Sequence, residues 1–161
     1  MESMLALPRN ASVLMPPVWF RRIHGLLPDP AAIYFPAMQH APGFLKLVTE
    51  AQPRVHQLTV AEARIRLATN PRAVLLDVRE DAEWLAGHAV AAQHLGKGIL
   101  ERDLEIRFPN PQQEIIMYCG GGYRSVLTCD AAQKMGYTNV HSLAGGHKAL
   151  VAAAWPMQSD V

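Results

Sequence analysis

The sequence predicts an α/β fold built on a mainly parallel sheet of about five strands, with helices on both faces. Two observations carry this expectation. From Gly43 onward, short apolar runs alternate with segments of helical period. In addition, "AVLLDV" (73–78) and "EIIMYC" (114–119) are continuous apolar runs rather than alternating ones, as in strands buried on both sides.

Each element has its own signal. Phe44, Leu45, Leu47 and Val48 mark a short first helix that ends before Pro53, and a short strand is expected near residues 55–58. Thr59-Val60-Ala61-Glu62 fits a capping box, in which hydroxyl and carboxylate satisfy each other's backbone N–H groups, and opens a helix through about residue 68. The strand 73–78 follows, then a short helix in "EDAEWLAGH" and a third strand in "VAAQHL". "GILERDLEIRF" reads as helical, with Ile99, Leu100, Leu104 and Phe108 spaced for one face. Strand 114–119 leads to a helix over about residues 124–135, "NVHSL" (139–143) is the last strand, and "HKALVAAAW" is a helix stopped by Pro156.

Before this pattern, seven of the twelve prolines fall within the first 42 residues, where no sustained period is present. Proline fixes φ and lacks a donor, so residues 1–42 are expected to be an extension, loosely packed or disordered, ahead of a domain spanning 43–161. Met38 is a candidate translation start, because "MQHAPGF" runs directly into the first helix. Of the 161 residues, half are hydrophobic and the formal net charge is +1, which supplies no electrostatic reason for nucleic acid or an anionic membrane as partner. Two cysteines, Cys119 and Cys129, make no disulfide framework. Prolines interrupt the early apolar stretches and no secretory signal pattern opens the chain, so the expectation is a cytoplasmic protein.

The chemistry concentrates in "YCGGGYRS" (118–125), where a strand ends on a cysteine, three glycines follow, and a helix begins. In open α/β sheets ligands bind beyond the carboxyl ends of the strands, which is where Cys119 stands. A helix N-terminus favours the anionic thiolate. Gly120, Gly121 and Gly122 can turn backbone N–H groups toward an anion and leave the sulfur sterically open. Arg124 adds a permanent positive charge that can close the ring or hold an anionic substrate.

The span Cys119 to Arg124, Cys-x-x-x-x-Arg, resembles the active-site loop of rhodanese-type sulfurtransferases. "LLDVREDAEWLAGH" (75–88) is similar to that family's Asp-Val-Arg…Glu…Gly-His block, "NVHSLAGGHKAL" (139–150) to its Leu-x-Gly-Gly segment, and Trp155-Pro156 to its terminal Trp-Pro. The resemblance covers roughly residues 55–156. It implies the rhodanese-like fold and a ping-pong transfer in which Cys119 takes sulfur from a donor such as thiosulfate, becomes a persulfide, and passes it to cyanide, a thiol or a protein acceptor. Backbone N–H groups of Gly120, Gly121, Gly122, Tyr123 and Arg124 would hold the persulfide, Arg124 would orient the loop, and Asp77 and Arg79 would brace neighbouring loops. No metal or organic cofactor is implied. Three segments depart from the family pattern: Gly120 stands where Arg, Lys or Gln is usual, "GHAVAA" (87–92) lacks a proline and a glycine, and His147 replaces a frequent tryptophan.

Competing readings are a cysteine phosphatase or arsenate-type enzyme, a thiol–disulfide role using Cys129, and a non-catalytic binding module. Phosphatase loops carry five residues between Cys and Arg, where this chain has four. Cys129 has the setting of a buried packing residue. The histidines, including His88, His94, His141 and His147, lack metal-ligand spacing, and Trp84 and Trp155 read as packing residues.

Overall fold

Three strands of the main sheet bury every residue they contain, which requires a covered layer on each side of it. In the computed structural model, which describes residues 40–159, the chain runs α1 (Pro42–Ala51), β1 (Gln57–Leu58), α2 (Val60–Thr69), β2 (Val74–Asp77), α3 (Asp81–Ala86), β3 (His88–Ala89), β4 (Gln93–His94), α4 (Leu100–Arg107), β5 (Ile115–Tyr118), α5 (Tyr123–Lys134), β6 (Val140–Leu143), α6 (Gly146–Ala152) and β7 (Met157–Gln158). The Pro-rich stretch up to Gln39, with Met38, lies outside the described residues. Pro42 is already the first residue of α1, so the boundary expected at residue 43 falls in that helix's first turn.

The main sheet has the order β1-β6-β5-β2-β4 with every pair parallel. Alternation along β5 and β2 divides the core in two. Ile115, Met117, Val74, Leu76 and Val78 pack with α1, α4 and α5, while Ile116, Tyr118 and Leu75 pack with α2 and α6. The Thr59 capping box forms as expected, with the Thr59 N–H donating to Glu62 Oε2 at 2.8 Å and the Glu62 N–H donating to Thr59 Oγ1 at 3.2 Å.

Two expectations change, and one strand pair is new. The strand in "VAAQHL" shrinks to Gln93–His94 at the sheet edge. Ile99 leaves the apolar face of α4: it lies in a 3-10 turn ahead of that helix and is exposed, while Leu100, Leu104 and Phe108 are buried. The antiparallel pair β3–β7, His88 opposite Gln158, was not legible, since two residues give no period and the partners lie seventy positions apart. Just after β3, Ala91 occupies φ 66°, a left-handed conformation unfavourable for a residue with a Cβ. It stands at the glycine missing from "GHAVAA". Among the described residues no helix is long and apolar enough to cross a membrane.

Candidate active site

Because β5 is the central strand, its carboxyl end opens between neighbouring strands and the helices behind them. Cys119 continues the face of Ile115 and Met117, packs with Val126 and Cys129 of α5, and is 1% exposed. The loop returns to its own sulfur through Gly122, the N-cap of α5. At φ 97° Gly122 directs its N–H onto Cys119 Sγ at 3.2 Å. Only glycine suits this place, because a Cβ would also meet the Gly145 nitrogen at 3.0 Å.

Behind the sulfur lies Ser125, fully buried in the first turn of α5. Its hydroxyl stands 3.7 Å from Cys119 Sγ, 3.0 Å from the Gly122 carbonyl and 2.8 Å from Ser142 Oγ of β6. Having one proton, Ser125 donates either to the carbonyl, to Ser142 or to the sulfur.

The loop is clamped by the segment after β6. Gly145 (φ 73°) and Gly146 (φ 54°) turn the chain so that the first N–H groups of α6, which have no intrahelical partner, reach the loop. His147 N–H donates to the Cys119 carbonyl at 2.6 Å and Lys148 N–H to the Gly120 carbonyl at 3.2 Å. A Cβ on Gly146 would collide with the Cys119 carbonyl oxygen and approach the Gly122 nitrogen to 3.0 Å. The glycine triplet 120–122 and the glycine pair 145–146 therefore meet backbone to backbone.

Arg124 is already paired where it joins the rim. Its guanidinium donates in a fork to Glu83 of α3, Nη1 to Oε2 at 2.7 Å and Nη2 to Oε1 at 2.8 Å, and Nη1 lies 3.6 Å from Glu80. The pair holds the Glu83 carboxyl below the usual carboxylate range and makes Arg124 still harder to deprotonate. It lies over Gly120, where a Cβ would come 3.3 Å from Arg124 Nη2 and 3.6 Å from Glu83 Oε1. Around Gly121 the space is open. Tyr123 is partly exposed, with its ring 4.8 Å from His40 and 6.4 Å from Phe44.

Asp77 and Arg79 lie beside the loop, buried and paired. Arg79 Nη2 donates to Asp77 Oδ2 at 2.6 Å and to the Gly87 carbonyl at 2.7 Å, linking the end of β2 to the end of α3. Arg79 also stands 5.7 Å from the Tyr118 ring, and the Tyr118 hydroxyl accepts the Ala89 N–H at 3.2 Å. Burial, helped by Asp77, pushes the Tyr118 phenol well above its ordinary value. Burial also lowers the pKa of His147, whose Nε2 is buried with no hydrogen-bond partner. Cys129 is a free thiol in the core, and burial raises its pKa strongly.

Sequence reasoning placed Cys119, the glycines and Arg124 in one loop but gave no role to Glu83, Ser125 or Ser142. Glu83 stood inside the quoted block 75–88, and its distance from Arg124 in the chain hid the pairing. Ser125 had one signal, its place in the first turn of the helix that follows the cysteine.

Residues 59–153 match the Rhodanese-like domain family. The chain belongs to that family. A probable adenylyltransferase/sulfurtransferase, MoeZ from Mycobacterium tuberculosis, is 30% identical over 104 residues, which are 65% of this chain and 26% of MoeZ. The chain thus spans about a quarter of the length of that relative. A Rhodopseudomonas palustris protein of unknown function, described as a possible tyrosine phosphatase, shares 26% identity at a TM-score of 0.64, covering 76% of this chain and 99% of that one. The thiosulfate sulfurtransferase structure from Pseudomonas aeruginosa superposes with a TM-score of 0.65 at 20% identity, covering 73% of this chain and 23% of that one. This rhodanese-like domain thus shares its fold with sulfurtransferases, and its loop 119–124 lies within the matched residues.

Proposed function

We propose that the protein is a sulfurtransferase that carries sulfane sulfur on Cys119. The observation that carries the reading is the Gly122 N–H aimed at Cys119 Sγ from 3.2 Å, at the carboxyl end of the central strand and the N-terminus of α5. A hydrogen-bond donor on the sulfur and a helix N-terminus both stabilise the negative charge that sulfur carries during the transfer. In the first half-reaction the thiolate attacks the outer sulfur of a donor. The Sγ–S bond forms, the donor's S–S bond breaks, and its electron pair leaves with the leaving group, which is sulfite when thiosulfate is the donor. In the second half, cyanide or a thiolate, free or on a protein, attacks the outer sulfur and Cys119 leaves as thiolate. The open side at Gly121 is the entry for both reactants. Gly120–Arg124 form the cradle, and Asp77–Arg79 act as a brace through Gly87.

The test is incubation of the full chain with thiosulfate or an organic persulfide, followed by intact mass. The wild type gains one sulfur atom that cyanide removes, and Cys119→Ser gains none. The likeness to a possible tyrosine phosphatase supplies a second reading, and hydrolysis of aryl phosphates by a Cys119 that no sulfane donor labels would establish it. The four-residue spacing to Arg124 and the occupation of Arg124 by Glu83 both argue against that outcome.

A further inference from the structure

Resting on the sulfurtransferase reading, we infer that Glu83 sets the class of sulfur donor. By occupying Arg124 it turns the site away from dianionic donors such as thiosulfate and toward persulfides of small organic thiols that carry little net negative charge. The loop 119–124 contains one cation, Arg124, and no other charged residue besides the thiolate. Both Nη atoms of Arg124 donate to Glu83, and Glu80 adds a second carboxylate 3.6 Å from Nη1. Around the nucleophile the charges are therefore one guanidinium against the Glu83 carboxylate and a thiolate, with the exposed Glu80 carboxylate adding a weaker, solvent-screened third.

Among the described residues, neither the clamp nor the brace restores the balance. His147, at the clamp, is kept neutral by burial, and Arg79 is neutralised by Asp77. Lys148 meets the loop through its backbone N–H while the residue itself is exposed, where solvent screens its charge. Gly120, the position nearest the pair, has no side chain to contribute charge. The donors nearest Cys119 Sγ are the backbone N–H of Gly122 at 3.2 Å and the Ser125 hydroxyl at 3.7 Å, neutral groups that do not require a sulfonate on the sulfur donor.

The balanced step has the same form for each donor. With an organic persulfide in its R–S–SH form, the Cys119 thiolate bonds to the outer sulfur, the S–S bond between inner and outer sulfur breaks, and R–S⁻ leaves with the electron pair as a singly charged thiolate while the outer sulfur keeps its proton. Thiosulfate must bring two negative charges to the same rim and release two as sulfite. Like charges juxtaposed at an interface suppress the wrong partner more than they weaken the right one.

The experiment measures single-turnover sulfur loading of Cys119 by intact mass, with thiosulfate and with aminoethyl persulfide, whose ammonium group offsets its sulfur charge. Wild type, Glu83→Gln and Glu80→Gln full-length proteins are compared at low and high salt. Freeing Arg124 in Glu83→Gln is expected to raise the thiosulfate-to-persulfide rate ratio by about tenfold, and Glu80→Gln, which keeps the fork intact, by a few-fold. Added salt speeds thiosulfate loading in the wild type and has little effect on it in Glu83→Gln. A proportional fall with both donors in Glu83→Gln would assign Glu83 a purely structural role and overturn the inference, as would an unchanged or lower ratio in both variants. If neither donor labels wild-type Cys119, the sulfurtransferase reading fails and this inference fails with it. If both label it and only the ratios fail to move, the sulfurtransferase reading stands and the donor inference alone is lost.

Discussion

Replacing Gly146 with alanine tests the clamp that holds the cysteine loop. Gly146 lies at φ 54°, and its Cβ would collide with the Cys119 carbonyl oxygen. Two costs add. A residue with a Cβ in the left-handed region loses about 1–2 kcal/mol. Relieving the collision separates α6 from the loop and weakens the N–H bonds of His147 to Cys119 and of Lys148 to Gly120, worth about 1 kcal/mol each. The expected destabilisation is thus about 3–4 kcal/mol by summing these contributions. Gly136→Ala supplies the control. Gly136 also has a positive φ, 100°, but has nothing within 4 Å of its Cβ position, so it carries the backbone cost alone. Urea unfolding of both variants at matched slope gives the difference directly. Single-turnover sulfur loading should also slow in Gly146→Ala and stay unchanged in Gly136→Ala. If the two stabilities agree within about 0.5 kcal/mol, the span over which independent effects normally scatter, the clamp is not an energetic unit.

Other perturbations probe neighbouring features. Ala91→Gly removes the left-handed strain after β3, and the relief of about 1–2 kcal/mol exceeds the unfolded-state entropy penalty of about 0.4–1 kcal/mol; a small rise in urea midpoint is expected, and a fall would remove the strain argument. The Glu83 carboxyl is held below its ordinary range first by its hydrogen bonds from Arg124, so its contribution is present above the unfolded carboxylate pKa and lost as pH falls through the lower folded value. Wild-type stability should consequently drop more steeply than that of Glu83→Gln below about pH 4.5, where free carboxylates begin to protonate, and parallel pH profiles in urea unfolding would contradict the pairing.

What the sequence determined by itself is the part that repeats locally. Continuous apolar runs announced β2 and β5, a Thr-x-x-Glu box announced the start of α2, and a cysteine, three glycines and an arginine between a strand and a helix announced the loop. Each signal lies within a dozen residues, the range over which hydrogen-bonding periods and caps are written. What only the tertiary structure decided is which distant groups complete that loop. Glu83 reaches Arg124 across 41 positions, Ser142 reaches Ser125 across 17, and the Gly145–Gly146 turn seats α6 on the Cys119 carbonyl. These contacts follow from strand order: β5 lies between β2 and β6, so the segments leaving both neighbours converge on the end of β5. The candidate nucleophile could be named from the chain alone, but the electrostatic environment of the loop's arginine could not. A charge's effect depends on what stands within a few ångströms of it, and no local pattern specifies that neighbour.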